Sequence, residues 1–200
     1  MRLLLSTHND HKRRELARLM PPGADREPWQ LDALPDDVEL PPEDGETFAE
    51  NAFGKARAAA AATGRATIAD DSGIAAAALG GAPGVRSARY AGEHASDGEN
   101  LAKLLREAPA GSALEYVCAI AFVDPRSGEE RLFEGRCTGR VAAEPRGERG
   151  FGYDPAFVPD EGRGELTMAE LSDEEKDAIS HRGRAARALV QWLATHASAS

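Results

Sequence analysis

Residues 47–73 read TFAENAFGKARAAAAATGRATIADDSG, and this stretch decides the fold. Phe48, Ala52, Ala56 and Ala59 recur at helical spacing, which predicts a helix from Thr47 to Thr63 with that face against a core. Gly64 ends the helix. Ala66 to Ala69 then reads as a buried strand that closes on Asp70-Asp71-Ser72-Gly73. A helix handing over to a buried strand across a single turn is the pattern of an α/β protein. A second, polar stripe runs along the same helix, because Thr47, Asn51 and Lys55 recur at i, i+4 and i+8.

The flanking sequence extends the pattern in both directions. Residues 2–6 form a short apolar strand, and Asp10 to Met20 a helix with Leu16, Leu19 and Met20 on one face, stopped by Pro21, Pro22 and Gly23. Residues 24–45 are rich in proline and acid around Trp29, Leu31 and Leu34, and suggest a strand with a long acidic loop. Further on, a Gly/Pro-rich turn at Gly80–Gly84 precedes a helix from Asp97 to Glu107. Leu114, Tyr116, Cys118, Ile120 and Phe122 alternate along one strand face, and Pro125-Arg126-Ser127-Gly128 turns the chain back. Phe133, Cys137 and Val141 then oppose Glu134, Arg136, Thr138 and Arg140, so the pair is a long β-hairpin. A Gly/Arg-rich loop, a helix from Ser172 or Asp173, and a last helix bearing Ala186, Leu189, Val190 and Leu193 complete the chain. The expected class is α/β with a mixed sheet.

Composition narrows the function. Of 200 residues, 42% are apolar and 29% charged, enough for one domain with a real core. A net charge of −10 disfavours a nucleic-acid partner, which would require a basic face, but leaves room for a small anion met by a few local cations. Cys118 and Cys137 fall in strand-like runs and read as small buried hydrophobes in a reducing compartment. The opening Met-Arg-Leu-Leu-Leu turns polar too soon for a signal-peptide core, and no run approaches the ~20 apolar residues of a membrane span, so a cytoplasmic protein is expected.

Four segments could carry chemistry. Thr7-His8-Asn9-Asp10-His11-Lys12 lies between a strand and a helix, where backbone N–H groups and Lys12 would favour a phosphate; it reads equally as a capped helix with a solvated lysine. Asp70 and Asp71 are adjacent carboxylates that repel unless a cation or proton relieves them. Magnesium suits such an open pair, taking one or two carboxylates plus phosphate oxygens, while one carboxylate could orient or deprotonate water. Ser72 is not in a Gly-x-Ser-x-Gly elbow, which speaks against a serine hydrolase. Phe151-Gly152-Tyr153-Asp154-Pro155 offers close backbone approach and aromatic faces for a planar ligand. Lys176 with Ser180-His181-Arg182-Gly183 gathers donors suited to a purine 6-oxo group.

In their order along the chain these segments resemble the inosine/xanthosine triphosphate pyrophosphatase family. The matching text is Thr7–Lys12 with Glu15, Glu46–Ala52 to Lys55, Ile68–Gly73, Gly80–Val85, Ser87–Gly92, Phe151–Pro155, and Ala169–Leu171 through Lys176 to Ser180–Gly183. The resemblance covers about residues 3 to 193. It implies an elongated, twisted mixed β-sheet flanked by helices, a single two-lobed catalytic domain with a cleft between the lobes, a Mg²⁺ requirement and a homodimer. It implies that the Thr7–Lys12 segment, Asn9 and Lys12 above all, holds the triphosphate with Lys55. Asp71 would be base and magnesium ligand with Glu43 and Asp70, and Ser72 would touch substrate. Phe151, Gly152, Tyr153 and Asp154 would wall the base pocket, and Lys176, His181 and Arg182 would read the purine edge. Two features depart from the family: His8 stands where a small residue is usual, and Gly54 interrupts the helix beside Lys55, which could loosen that lysine.

Overall fold

Three of the helices start on the same local device. Thr47, Ser96 and Ser172 each accept a hydrogen bond from the backbone N–H three residues on, and the carboxylates of Glu50, Glu99 and Glu175 accept one from the backbone N–H of the capping residue. Each such box satisfies donors that a helix start leaves orphaned, and loss of the hydroxyl typically costs about 1 kcal/mol. These boxes open α2 (Phe48–Thr63), α3 (Asp97–Glu107) and α4 (Asp173–Ile179); α1 (Asp10–Leu19) and α5 (His181–His196) complete the helical set among the described residues. The computed structural model describes residues 1–20 and 29–196. The expected stop at Pro21, Pro22 and Gly23 lies outside them.

Six strands form one mixed sheet in the order β2-β1-β3-β4-β5-β6. They are β1 (Arg2–Leu5), β2 (Gln30–Ala33), β3 (Thr67–Ala76), β4 (Ala113–Asp124), β5 (Glu129–Val141) and β6 (Phe157–Pro159). β1 pairs in parallel with β2 and with β3, whereas β6 pairs antiparallel with β5. The hairpin turn falls at Pro125–Gly128 as expected, and β5 buries Cys137 and Val141 while exposing Glu134, Arg136 and Thr138. β4 goes beyond its predicted alternation. Its second face, with Ala119, Ala121 and Val123, is buried too, because alanine-rich α2 covers it. Both cysteines are free and buried.

One boundary differs from expectation. The strand read as ending on the acidic pair instead runs through it to Ala76, so Asp70 and Asp71 are interior strand residues. Backbone pairing with neighbouring strands outweighs the low strand propensity of aspartate.

The chain divides into two compact units, each with its own core. The first comprises Met1–Asp71, Cys118–Glu134 and the chain from Arg184 onward; it packs Leu3, Leu5, Leu16, Ile68, Ile120 and Leu189 together. The second comprises Ser72–Val117 and Gly135–Gly183, around Ile74, Leu104, Tyr116, Phe157, Met168 and Leu171. Among the described residues no helix is long and apolar enough to cross a membrane.

Gly54 does not break α2, and a Cβ built there meets only the Pro41 ring at 3.9 Å. Gly54→Ala should therefore raise stability by about 0.5–1 kcal/mol, the helix-propensity difference. Urea denaturation measures this, and a loss of stability would contradict the open space seen beside the residue.

Candidate active site

In the first unit, strand alternation separates the acidic pair. Ile68 packs with Leu16 of α1 and Leu189 of α5, whereas Ala69 packs with Ala52, Ala56 and Ala60 of α2. A period of two then turns Asp70 toward α1 and Asp71 toward α2. The polar contacts follow suit. Lys12 Nζ lies 3.4 Å from Asp70 Oδ2, and Asn51 Nδ2 donates to Asp71 Oδ2 at 2.9 Å. Lys55 donates to the Glu43 carboxylate and, at 2.7 Å, to the Asp70 backbone carbonyl, with Nζ also 3.9 Å from Asp71 Oδ1. The stripe of Thr47, Asn51 and Lys55 thus does two jobs: Thr47 caps α2, and the other two face the carboxylates.

The acidic loop is tied in through the same asparagine. Gly45 N donates to Asn51 Oδ1 at 2.8 Å, and a Cβ on Gly45 would sit 2.7 Å from that oxygen. Only glycine allows this approach, which brings Glu43 to Lys55. Lys55 is held rather than loosened by its neighbour Gly54, and only 6% of its surface is exposed.

Charges in this cluster shift one another. Burial raises the Asp71 pKa above the usual aspartate value, and Lys55 and Lys12 oppose it only in part. For Glu43, burial also pushes upward, but the Lys55 charge and hydrogen bond prevail and its pKa ends below normal. Burial pulls the Lys55 pKa down, yet Asp70, Glu43 and Asp71 together raise it. Near neutral pH, Lys55 is therefore an ammonium and Glu43 a carboxylate.

The Thr7–Lys12 segment is a capped helix start. Thr7 Oγ1 accepts from Asn9 N at 3.1 Å, and Asn9 Oδ1 accepts from His11 N at 2.9 Å and Lys12 N at 3.0 Å. The helix-start amides expected to meet phosphate are thus taken by Asn9. His8, Asp10 and His11 are exposed, and Asp10 pairs with Arg13 at 2.8 Å. Lys12 is the cation of this segment that turns inward.

In the second unit, Asp154 is the hub. Its Oδ2 accepts from Lys176 Nζ at 2.6 Å and from Phe151 N at 2.9 Å, and its Oδ1 from the Tyr116 hydroxyl at 3.1 Å. The Phe151 ring lies 5.4 Å from Lys176 Nζ and 5.6 Å from the Arg182 guanidinium. Arg182 donates to Ser72 Oγ at 2.6 Å. His181 stacks on Tyr116, with ring centroids 4.5 Å apart and planes 8° from parallel. Gly152 N donates to Asp97 Oδ2 at 3.0 Å.

Tyr153, expected as a pocket wall, is buried. Its ring belongs to the core of this unit, its hydroxyl donates to Ser87 O at 2.7 Å, and burial lifts its pKa well above that of free tyrosine. Sequence reasoning missed the roles of Tyr116 and Asp97. Tyr116 sits on an apolar strand face with no polar pattern to mark it, and Asp97 looks like an ordinary first-turn acid.

The sequence pattern of the Ham1 family matches residues 3–192. The chain belongs to the Ham1 family. Among its Ham1 relatives, the dITP/XTP pyrophosphatase of Mycolicibacterium paratuberculosis is 50% identical, over 98% of this chain and 98% of the relative. The dITP/XTP pyrophosphatase of Cutibacterium acnes is 47% identical over 98% and 97%. Among solved structures, a HAM1 protein from Coxiella burnetii superposes with a TM-score of 0.85 at 38% identity, covering 98% of this chain and 99% of that one.

No three His, Cys, Asp or Glu side chains among the described residues form a ready metal cage in this Ham1 chain. Asp71 and Glu43, both beside Lys55, offer hard oxygen donors of the kind magnesium uses when phosphate oxygens and water complete its shell. Asp70 is fully buried and paired with Lys12.

The hub makes a direct prediction. Asp154→Ala leaves the Lys176 ammonium, only 4% exposed, without its carboxylate. It should cost about 3–5 kcal/mol in urea unfolding, as removal of one partner of a buried ion pair does. A loss below about 1 kcal/mol would show that the pair is not what holds Lys176.

Proposed function

We propose that this Ham1 protein hydrolyses non-canonical purine nucleoside triphosphates, dITP and XTP with ITP, to the monophosphate and diphosphate. The enzyme class, a nucleoside-triphosphate pyrophosphatase, follows from the family and from full-length relatives near half identity. One observation of the chain's own chemistry carries the site: Asn51 and Lys55 of α2 converge on Asp71 beside Glu43. Paired ammonium and carboxylate groups at one place suit a phosphate ester met together with a cation.

In this mechanism Asp71 orients a water and takes its proton as the oxygen attacks the α-phosphorus. The bond to the bridging oxygen breaks, and diphosphate leaves. Lys12 and Lys55 neutralise charge on the departing group. Magnesium, held by Asp71 and Glu43, would supply further charge neutralisation on the phosphate oxygens. Asn51 holds Asp71 in place through its amide. Lys176, His181 and Arg182 read the purine, and Phe151 gives it a stacking face. Donors aimed at a 6-oxo group are left unpaired or clash when adenine presents its amino group. A cytoplasmic homodimer belongs to the same proposal, and light scattering at twice the chain mass would support the dimer.

Product analysis with dITP and XTP should yield monophosphate and diphosphate in equal amounts. Release of inorganic phosphate with a nucleoside diphosphate would overturn the proposed bond cleavage, and faster turnover of dUTP or dTTP the purine preference. Asp71→Asn should abolish nearly all turnover and leave nucleotide affinity within about tenfold, because it removes the base more than the binding contacts. Wild-type kcat in that variant would rule Asp71 out. Lys55→Ala should impair both KM and kcat, since the triphosphate is charged before and during reaction.

A further inference from the structure

Two of the three side chains assigned to the purine edge in the second unit, Lys176 and His181, lead back to one residue that carries no role in that assignment. Tyr116 is 6% exposed on β4, and its ring touches two others: Phe157, with centroids 4.5 Å apart and tilted by 31°, and His181, stacked at 4.5 Å and 8°. Its hydroxyl donates to Asp154 Oδ1 at 3.1 Å, while the other oxygen of that carboxylate takes Lys176 Nζ at 2.6 Å and Phe151 N at 2.9 Å. One residue therefore bears on the plane of His181 by stacking and on the reach of Lys176 by hydrogen bonding.

Each contact has a physical consequence. A parallel stack fixes the tilt of an imidazole and hence the direction in which its ring nitrogens point. A carboxylate with three donors shares its charge among them. Remove the tyrosine hydroxyl and the remaining charge falls on Lys176 and the Phe151 amide, so Lys176 is held more tightly by Asp154 and gives less to a ligand oxygen. A core phenylalanine at position 116 would satisfy packing against Phe157 equally well. What phenylalanine would lack is the hydrogen bond to Asp154.

We infer that Tyr116 is a specificity-positioning residue, which aligns His181 by ring stacking and tunes Lys176 through Asp154, and so sets discrimination between 6-oxo and 6-amino purines. This rests on the proposed assignment of Lys176 and His181 to the purine edge. It does not depend on turnover, because binding alone reads it.

The test uses full-length protein and its Tyr116→Phe and Tyr116→Leu variants, with calorimetric affinities for dIMP and dAMP and with NMR of the His181 ring protons. Tyr116→Phe keeps the stack, so the His181 ring protons should stay within about 0.2 ppm of wild type while dIMP affinity falls about three- to tenfold. Tyr116→Leu loses stack and hydroxyl; the His181 resonances should move downfield as the ring current disappears, and the dIMP-over-dAMP ratio should fall by at least about tenfold. In steady-state assays with dITP the loss should appear in KM, with kcat within about threefold. Restoration of most of the ratio by phenylalanine relative to leucine would support the stacking role. An unchanged ratio in Tyr116→Leu, in protein that still unfolds cooperatively, would overturn the inference, as would a loss confined to kcat. Wild-type protein that binds dIMP selectively yet releases no diphosphate from dITP would overturn the proposed activity and leave this inference to the affinity ratios. Wild-type protein without preference for dIMP would overturn it together with the purine-edge assignment.

Discussion

The buried ammonium of Lys55 is the charge around which the polar centre of the first unit is arranged. Three carboxyl groups gather here: Asp70 and Asp71 are buried within a sheet strand, and Glu43 is half-buried beside them. Desolvating a charge costs several kcal/mol unless a partner compensates. Lys55 answers Glu43 directly, reaches the backbone carbonyl of Asp70 and lies within 4 Å of Asp71, while Lys12 takes the side chain of Asp70. Both lysines are anchored by helices whose starts are locally capped, α1 by Asn9 and α2 by Thr47. Among these five side chains the carboxyl groups outnumber the ammonium groups by one. The proposed magnesium would answer that excess.

The second unit solves a similar problem with the signs reversed. Here one carboxylate, Asp154, serves Lys176, and Arg182 finds the neutral hydroxyl of Ser72 and the face of Phe151. The proposed base, with its oxo groups, would bring acceptors to these donors.

Much of the frame was legible in the sequence because its signals are local. The helix over Asp97–Glu107 and the hairpin turn at Pro125–Gly128 fall where period, capping residues and turn chemistry put them. The strand through Asp70 and Asp71 is longer than the sequence suggests, because an aspartate pair ordinarily ends a strand and here the neighbouring strands, the two lysines and Asn51 make it tolerable inside one. Lys12, Lys55 and Asp71 could be singled out by type and position. Asn51 bonding Asp71, Tyr116 bonding Asp154 and Asp97 bonding Gly152 depend on long-range placement, for which sequence spacing holds no cue. Tyr153 illustrates the converse: an aromatic in a glycine-rich run reads as a ligand platform, yet its ring fills the core.

The reciprocal Ser/Thr–Glu boxes at the heads of α2, α3 and α4 have a bearing on how the chain folds. Alanine-rich α2 has a weak apolar stripe, so tertiary packing alone would leave its first turn free to slide along the chain. A box made wholly within four residues acts locally and favours one starting residue over its neighbours. The box thus favours one start for α2, and with it the phase at which Asn51 and Lys55 meet the strand. Registration of the charged cluster therefore draws on a contact local to the first turn of α2 as well as on the pairing of the sheet.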